Sequence, residues 1–110
     1  MKLRAMMLAL CLGLAAPAGA QKSPAEVTDA QIKEYKATAE GGCREGGKTR
    51  GDPPEKVNAF CKCMTGVFEK NMTRSEWQQV YFFSKNKRVA DEENVLGPHM
   101  SKLRVCRPPS

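Results

Sequence analysis

The chain has 110 residues, 18 Lys and Arg against 12 Asp and Glu, and one His. That length allows one domain at most, and the excess of cations falls well short of the basic density of a dedicated nucleic-acid binder. A single His, with no Gly-x-Ser-x-Gly and no His-Glu-x-x-His, leaves no inventory for the common catalytic constellations, so no enzymatic activity is expected.

Residues 1–20 read as a secretory signal peptide. Met1-Lys2-Leu3-Arg4 is a basic start, Ala5 to Ala16 is an apolar run, and Ala18-Gly19-Ala20 fits the small-x-small cleavage rule, with the cut after Ala20. The run is too short to span a bilayer, which needs about 20 apolar residues. Leu10 before Cys11 does not fit a lipoprotein acylation site. Cleavage removes Cys11, Lys2 and Arg4, leaving an even set of four cysteines and a mature charge of about +4. A mature chain of about 90 residues, carrying only one Trp, two Tyr and four Phe, builds a marginal core. Covalent links in an oxidising compartment answer that need. The expected location is the periplasm, with the extracellular space as the alternative. The mature chain is expected to hold no membrane span.

Residues 21–27 read as a flexible leader before a single helical domain over 28–106, with 107–110 as a tail. The first helix starts at Thr28, where Thr28-Asp29-Ala30-Gln31 has the form of a capping box. Ile32, Tyr35 and Ala39 give it a thin apolar stripe, and Gly41-Gly42 are expected to stop it just before Cys43. Arg44 to Gly51 then reads as an exposed loop. Its Gly46-Gly47-Lys48-Thr49 resembles the end of a P-loop, but a polar helix precedes it where a P-loop has a buried strand, and no phosphate site is expected.

The second helix has Asp52 as its expected cap and Pro53 in its first turn. Val57, Phe60, Cys61, Met64 and Phe68 form one apolar face, and Asn71 ends the helix. Within it, Cys61 and Cys63 point roughly 200° apart. They cannot bond each other in a helix, so each must reach a different partner. Thr73-Arg74-Ser75-Glu76 is a second capping box and opens a third helix whose Trp77, Val80 and Tyr81 are expected to pack in the core rather than form a ligand shelf. Lys85-Asn86-Lys87-Arg88 closes it. In the last, weaker helix Val95, Leu96, Met100 and Leu103 form the stripe, and Gly97-Pro98 is expected to delay order until Pro98. No segment alternates like a strand. The fold class is therefore all-α, a small disulfide-stapled bundle of three to four short helices.

With Cys61–Cys63 excluded, two pairings remain: Cys43–Cys61 with Cys63–Cys106, or Cys43–Cys63 with Cys61–Cys106. The first is preferred because Cys43 is nearer in sequence to Cys61. The competing reading makes Cys61 and Cys63, with His99 and Met100, a soft site for copper or zinc. A helical Cys-x-Cys splays its sulfurs, which disfavours it, and no cofactor is expected. Lys85, Lys87, Arg88, Lys102 and Arg104 are the candidate patch for an anionic partner.

Cys43, Phe60-Cys61-Lys62-Cys63 within the next helix, the acid-capped aromatic helix and the late Cys106 together resemble small exported four-cysteine helical proteins of proteobacteria. The spacing differs from the twin Cys-x9-Cys hairpins. That resemblance carries no functional residues with it. The expected function is a binding or interaction module (an inhibitor, an immunity-type partner or an accessory subunit) acting on a protein or an anionic envelope component. The alternative is periplasmic metal handling. If the cysteines are staples, Cys61→Ser prevents accumulation of folded protein. An equally stable, normally folded Cys61→Ser variant would contradict that.

Overall fold

The computed structural model describes residues 21–108 of the chain; the expected signal peptide over 1–20, with Cys11, and the last two residues of the tail lie outside them. Four helices follow in order: α1 Asp29–Arg50, α2 Pro54–Asn71, α3 Arg74–Lys85 and α4 Val89–Met100. Short 3-10 turns precede and follow them at Pro24–Glu26 and Ser101–Val105. No strand occurs among the described residues, and the fold is a small disulfide-stapled all-α bundle.

Two helices start with the same device. Thr28 accepts the Gln31 amide while Gln31 reaches back to the Thr28 amide, and Thr73 and Glu76 repeat the exchange at α3. In each case the residue before the cap and the fifth after that residue are apolar, Val27 with Ile32 and Met72 with Trp77. This is the hydrophobic-staple spacing that fixes how the chain enters a helix. All four side chains lie in one core with Val80 and Tyr81, and Tyr35, Phe68, Phe82, Val95 and Leu96 pack around it. Val27 is 2% exposed, and its carbonyl accepts the Gln78 side-chain amide at 3.0 Å. Residues 21–27, expected to be a loose leader, are therefore docked on α3.

α1 does not stop at Gly41-Gly42. It runs through Cys43 and the expected loop to Arg50. Glycine in a helix interior costs about 1 kcal/mol relative to Ala, but tertiary contacts offset that here. Cys43 is bonded to α2, Arg44 pairs with Glu40 one turn back and reaches Asn58, and Gly47 packs against Val57. The true stop is Gly51, with φ 78°, whose left-handed conformation suits glycine. The Asp52 amide bonds the Gly47 carbonyl and the Gly51 amide bonds that of Lys48, closing the helix end. Asp52 does not cap α2. Pro53 occupies that position, and the Asp52 carboxylate pairs with Arg50 instead. α4 likewise continues across Gly97-Pro98. Pro98 stands in its last turn, where the missing amide removes a single bond, and the buried His99 anchors that end to Glu76.

The glycines of α1 are not equivalent. A Cβ on Gly47 would lie 2.6 Å from Val57 Cγ2, whereas one on Gly42 would meet nothing within 4 Å. Val57 is β-branched and cannot swing aside. Gly42→Ala should stabilise the fold by about 0.5–1 kcal/mol, and Gly47→Ala should destabilise it by about 1–3 kcal/mol. Denaturant unfolding of the two variants checks this. Shifts of the same sign would contradict the close α1–α2 approach.

Candidate functional site

Cys61 and Cys63 are both oxidised, in different bonds. Cys61 joins Cys43 across the α1–α2 hairpin, with Cα atoms 5.9 Å apart, and Cys63 joins Cys106 after the last 3-10 turn, with Cα atoms 5.7 Å apart. Both separations fall in the ordinary disulfide range. The two thiols of the alternative metal site, Cys61 and Cys63, are thus both taken up in disulfides with other cysteines. His99 is buried with its ring on Glu76, while Met100 is 52% exposed. Among the described residues no three His, Cys, Asp or Glu side chains converge as a metal group.

The candidate anion patch is divided. Lys85, Lys87 and Arg88 stand before α4, whereas Lys102 and Arg104 stand after it, and a 12-residue helix is roughly 18 Å long. Several of these cations are also engaged. Lys85 pairs with Glu34 and lies over Tyr81, Arg88 pairs with Asp91 and lies over Phe83, and Lys102 bonds the Asn71 side chain. The structure does not bring the five into one site.

It does bring together an apolar groove of about 360 Å³ that the sequence reading missed. One wall is α1, with Tyr35, Ala39, Gly42, Cys43, Gly46 and Arg50 in line. Phe60, Met64 and Phe68 of α2 face it, Leu96 and Met100 come from α4, and Trp77 lies beside Tyr35 at one end. The groove follows from the fold. The Cys43–Cys61 bond holds the hairpin, the Cys63–Cys106 bond ties the chain after α4 back to α2, and the small residues of α1 leave the space between them unfilled. The i, i+4, i+8 run Phe60, Met64, Phe68 marked this face as apolar, but the expected break at Gly41-Gly42 removed the opposite wall.

Two polar contacts brace the groove's surroundings. The Tyr35 hydroxyl donates to Glu92 Oε2 at 2.5 Å, joining α1 to α4. Burial, then this hydrogen bond and the carboxylate's charge, hold the Tyr35 hydroxyl well above its ordinary range, so it stays a donor. At α3, Glu76 Oε1 accepts the Thr73 amide at 3.0 Å and Glu76 Oε2 lies 2.8 Å from His99 Nε2. One carboxylate thus fastens the start of α3 and the end of α4. The Thr73 amide first, and His99 next, hold the Glu76 carboxyl below its ordinary value.

No protein-family model, no curated protein and no solved structure matches the chain. Among the described residues no helix is long and apolar enough to cross a membrane.

Because the Glu76 carboxyl is depressed in the folded state, its contribution is present above the ordinary Glu value of about 4.3 and is lost as pH falls through the native value. Glu76→Gln keeps the capping exchange, as Gln31 does at α1, but removes the charge at the start of α3, so it should lower stability at neutral pH by about 0.3–1 kcal/mol and flatten the acid limb of the stability curve. Thermal unfolding across that pH range measures it. A variant with an unchanged acid limb would contradict the double role of Glu76.

Proposed function

We propose that this protein is an exported, non-catalytic binding module of the periplasm, acting as an inhibitor, an immunity-type partner or an accessory subunit, and that the groove between α1, α2 and α4 is its contact surface. The observation that carries this reading is the groove itself. It is a concave apolar surface on a doubly stapled scaffold, of the size that ligand sites commonly have, and its lining consists of aromatic, aliphatic, Met and Gly side chains with the disulfide-bonded Cys43 and one cation, Arg50. Export is supported by the basic start, apolar run and Ala18-Gly19-Ala20 site of the sequence, together with the two disulfides. The half-exposed Met100 at the rim supports a surface that adapts to its ligand, since an unbranched thioether repacks easily.

A photo-crosslinking residue in place of Met100, expressed in the exporting host, tests this. The expected result is one discrete protein adduct, identified by mass spectrometry, that is lost when Gly42→Leu fills the groove. No adduct, or an adduct indifferent to Gly42→Leu, would contradict the reading.

A further inference from the structure

The groove carries one charge and has a limited volume. Its α1 wall runs from Tyr35 to Arg50, and at about 1.5 Å of rise per residue those ends stand roughly 22 Å apart. The groove's volume of about 360 Å³ is the size of one medium-length hydrocarbon chain. A helix with its side chains is about 10 Å across and would need several times that space. The furrow is open along its side because Gly42 has no neighbour within 4 Å of the position of a Cβ.

Arg50 is the only charged side chain in the lining. Its Nε donates to Asp52 Oδ2 at 3.0 Å, and the Asp52 side chain is only 10% exposed, so the guanidinium is anchored from one side. Its Nη1 lies 3.4 Å from where a Cβ on Gly46 would sit, which places the free end over the groove wall. The Nη groups have no hydrogen bond among the described residues. Guanidinium Nη groups suit a carboxylate.

We propose that the groove binds a single-chain fatty acid. Its carboxylate pairs with the Nη groups of Arg50, and its hydrocarbon lies along Gly42 and Gly46, against Phe60 and Met64, toward Trp77. The furrow has room for one such chain, whereas a protein helix would rest on its rim, where Met100 stands. The proposal rests on the groove being the contact surface, as in the proposed function, and adds the ligand's chemistry.

Trp77 is the only Trp in the chain and lines the groove, so its emission reports occupancy. The disulfide-intact mature protein is titrated with dodecanoate below its micelle concentration and, separately, with dodecanol. The expected result is saturable one-to-one binding of dodecanoate, with dodecanol weaker by about ten-fold or more, the worth of a charge-assisted contact. Arg50→Gln should bring dodecanoate to the level of dodecanol. Gly42→Leu adds a side chain in open space, replaces glycine with a better helix former and should abolish both.

Absence of saturable binding, equal affinity for acid and alcohol, or an unaffected Gly42→Leu variant would overturn the proposal. A concentration-dependent dimer lost in Gly42→Leu would assign the groove to a second copy. Binding of an acidic amphipathic peptide, with dodecanoate inert, would assign it to a protein segment. Either result overturns the fatty-acid assignment. If the Met100 crosslink to protein stays sensitive to Gly42→Leu while dodecanoate does not bind, this inference falls and the proposed function stands.

Discussion

Two cysteines one residue apart on a helix cannot look in the same direction, and the rest of the structure depends on that. Cys61 faces α1 and Cys63 faces the chain after α4. One helix therefore carries both crosslinks and becomes the post to which the two ends of the domain are tied. The bonds span 18 and 43 residues of sequence. Constraining loops of that size is worth about 3 and about 4 kcal/mol in the chain-entropy model, a large share of the roughly 5–10 kcal/mol that holds a small domain. With so few aromatic side chains available, this covalent frame is what allows α1 and α4 to stand apart and leave an open apolar groove between them.

What was legible in the sequence is what local chemistry decides. Both capping boxes act as their residues indicate, α2 ends at Asn71, the splayed geometry of Cys61 and Cys63 excluded a bond between them, and the nearness of Cys43 to Cys61 in sequence favoured the pairing that forms. Trp77, Val80 and Tyr81 lie in the core as their spacing implies. The failures share a cause. Gly41-Gly42 and Gly97-Pro98 are weak points for an isolated helix, but here they sit in helices held from outside by a disulfide, by Val57 or by the His99–Glu76 contact. Local propensity was overridden by tertiary contacts at each of them. Val27 was readable in principle. It stands at the staple position before Thr28, a signal as regular as the capping box beside it.

The groove was illegible for a related reason. Its α2 face was seen as an apolar stripe, but a stripe does not tell whether it is covered. That depends on what α1 places opposite, and α1 places Ala39, Gly42 and Gly46. Glycine thus has two uses on one helix. On one side Gly47 lets α2 approach closely, and on the other Gly42 keeps a ligand-sized space open. The basic residues showed the converse. Five cations in two runs look like a patch in sequence, yet a helix lies between the runs and intramolecular acids or rings occupy several of them.

The central claim is the divergent pairing of Cys61 and Cys63, and Lys62 between them makes it directly measurable. Trypsin cleavage after Lys62, without reduction, separates the two cysteines into different peptides, and mass spectrometry identifies the partner of each. The account predicts the Cys43 peptide joined to the Cys61 peptide and the Cys63 peptide joined to the Cys106 peptide. Crossed partners, or alkylatable thiols at Cys61 and Cys63 in the native protein, would contradict it.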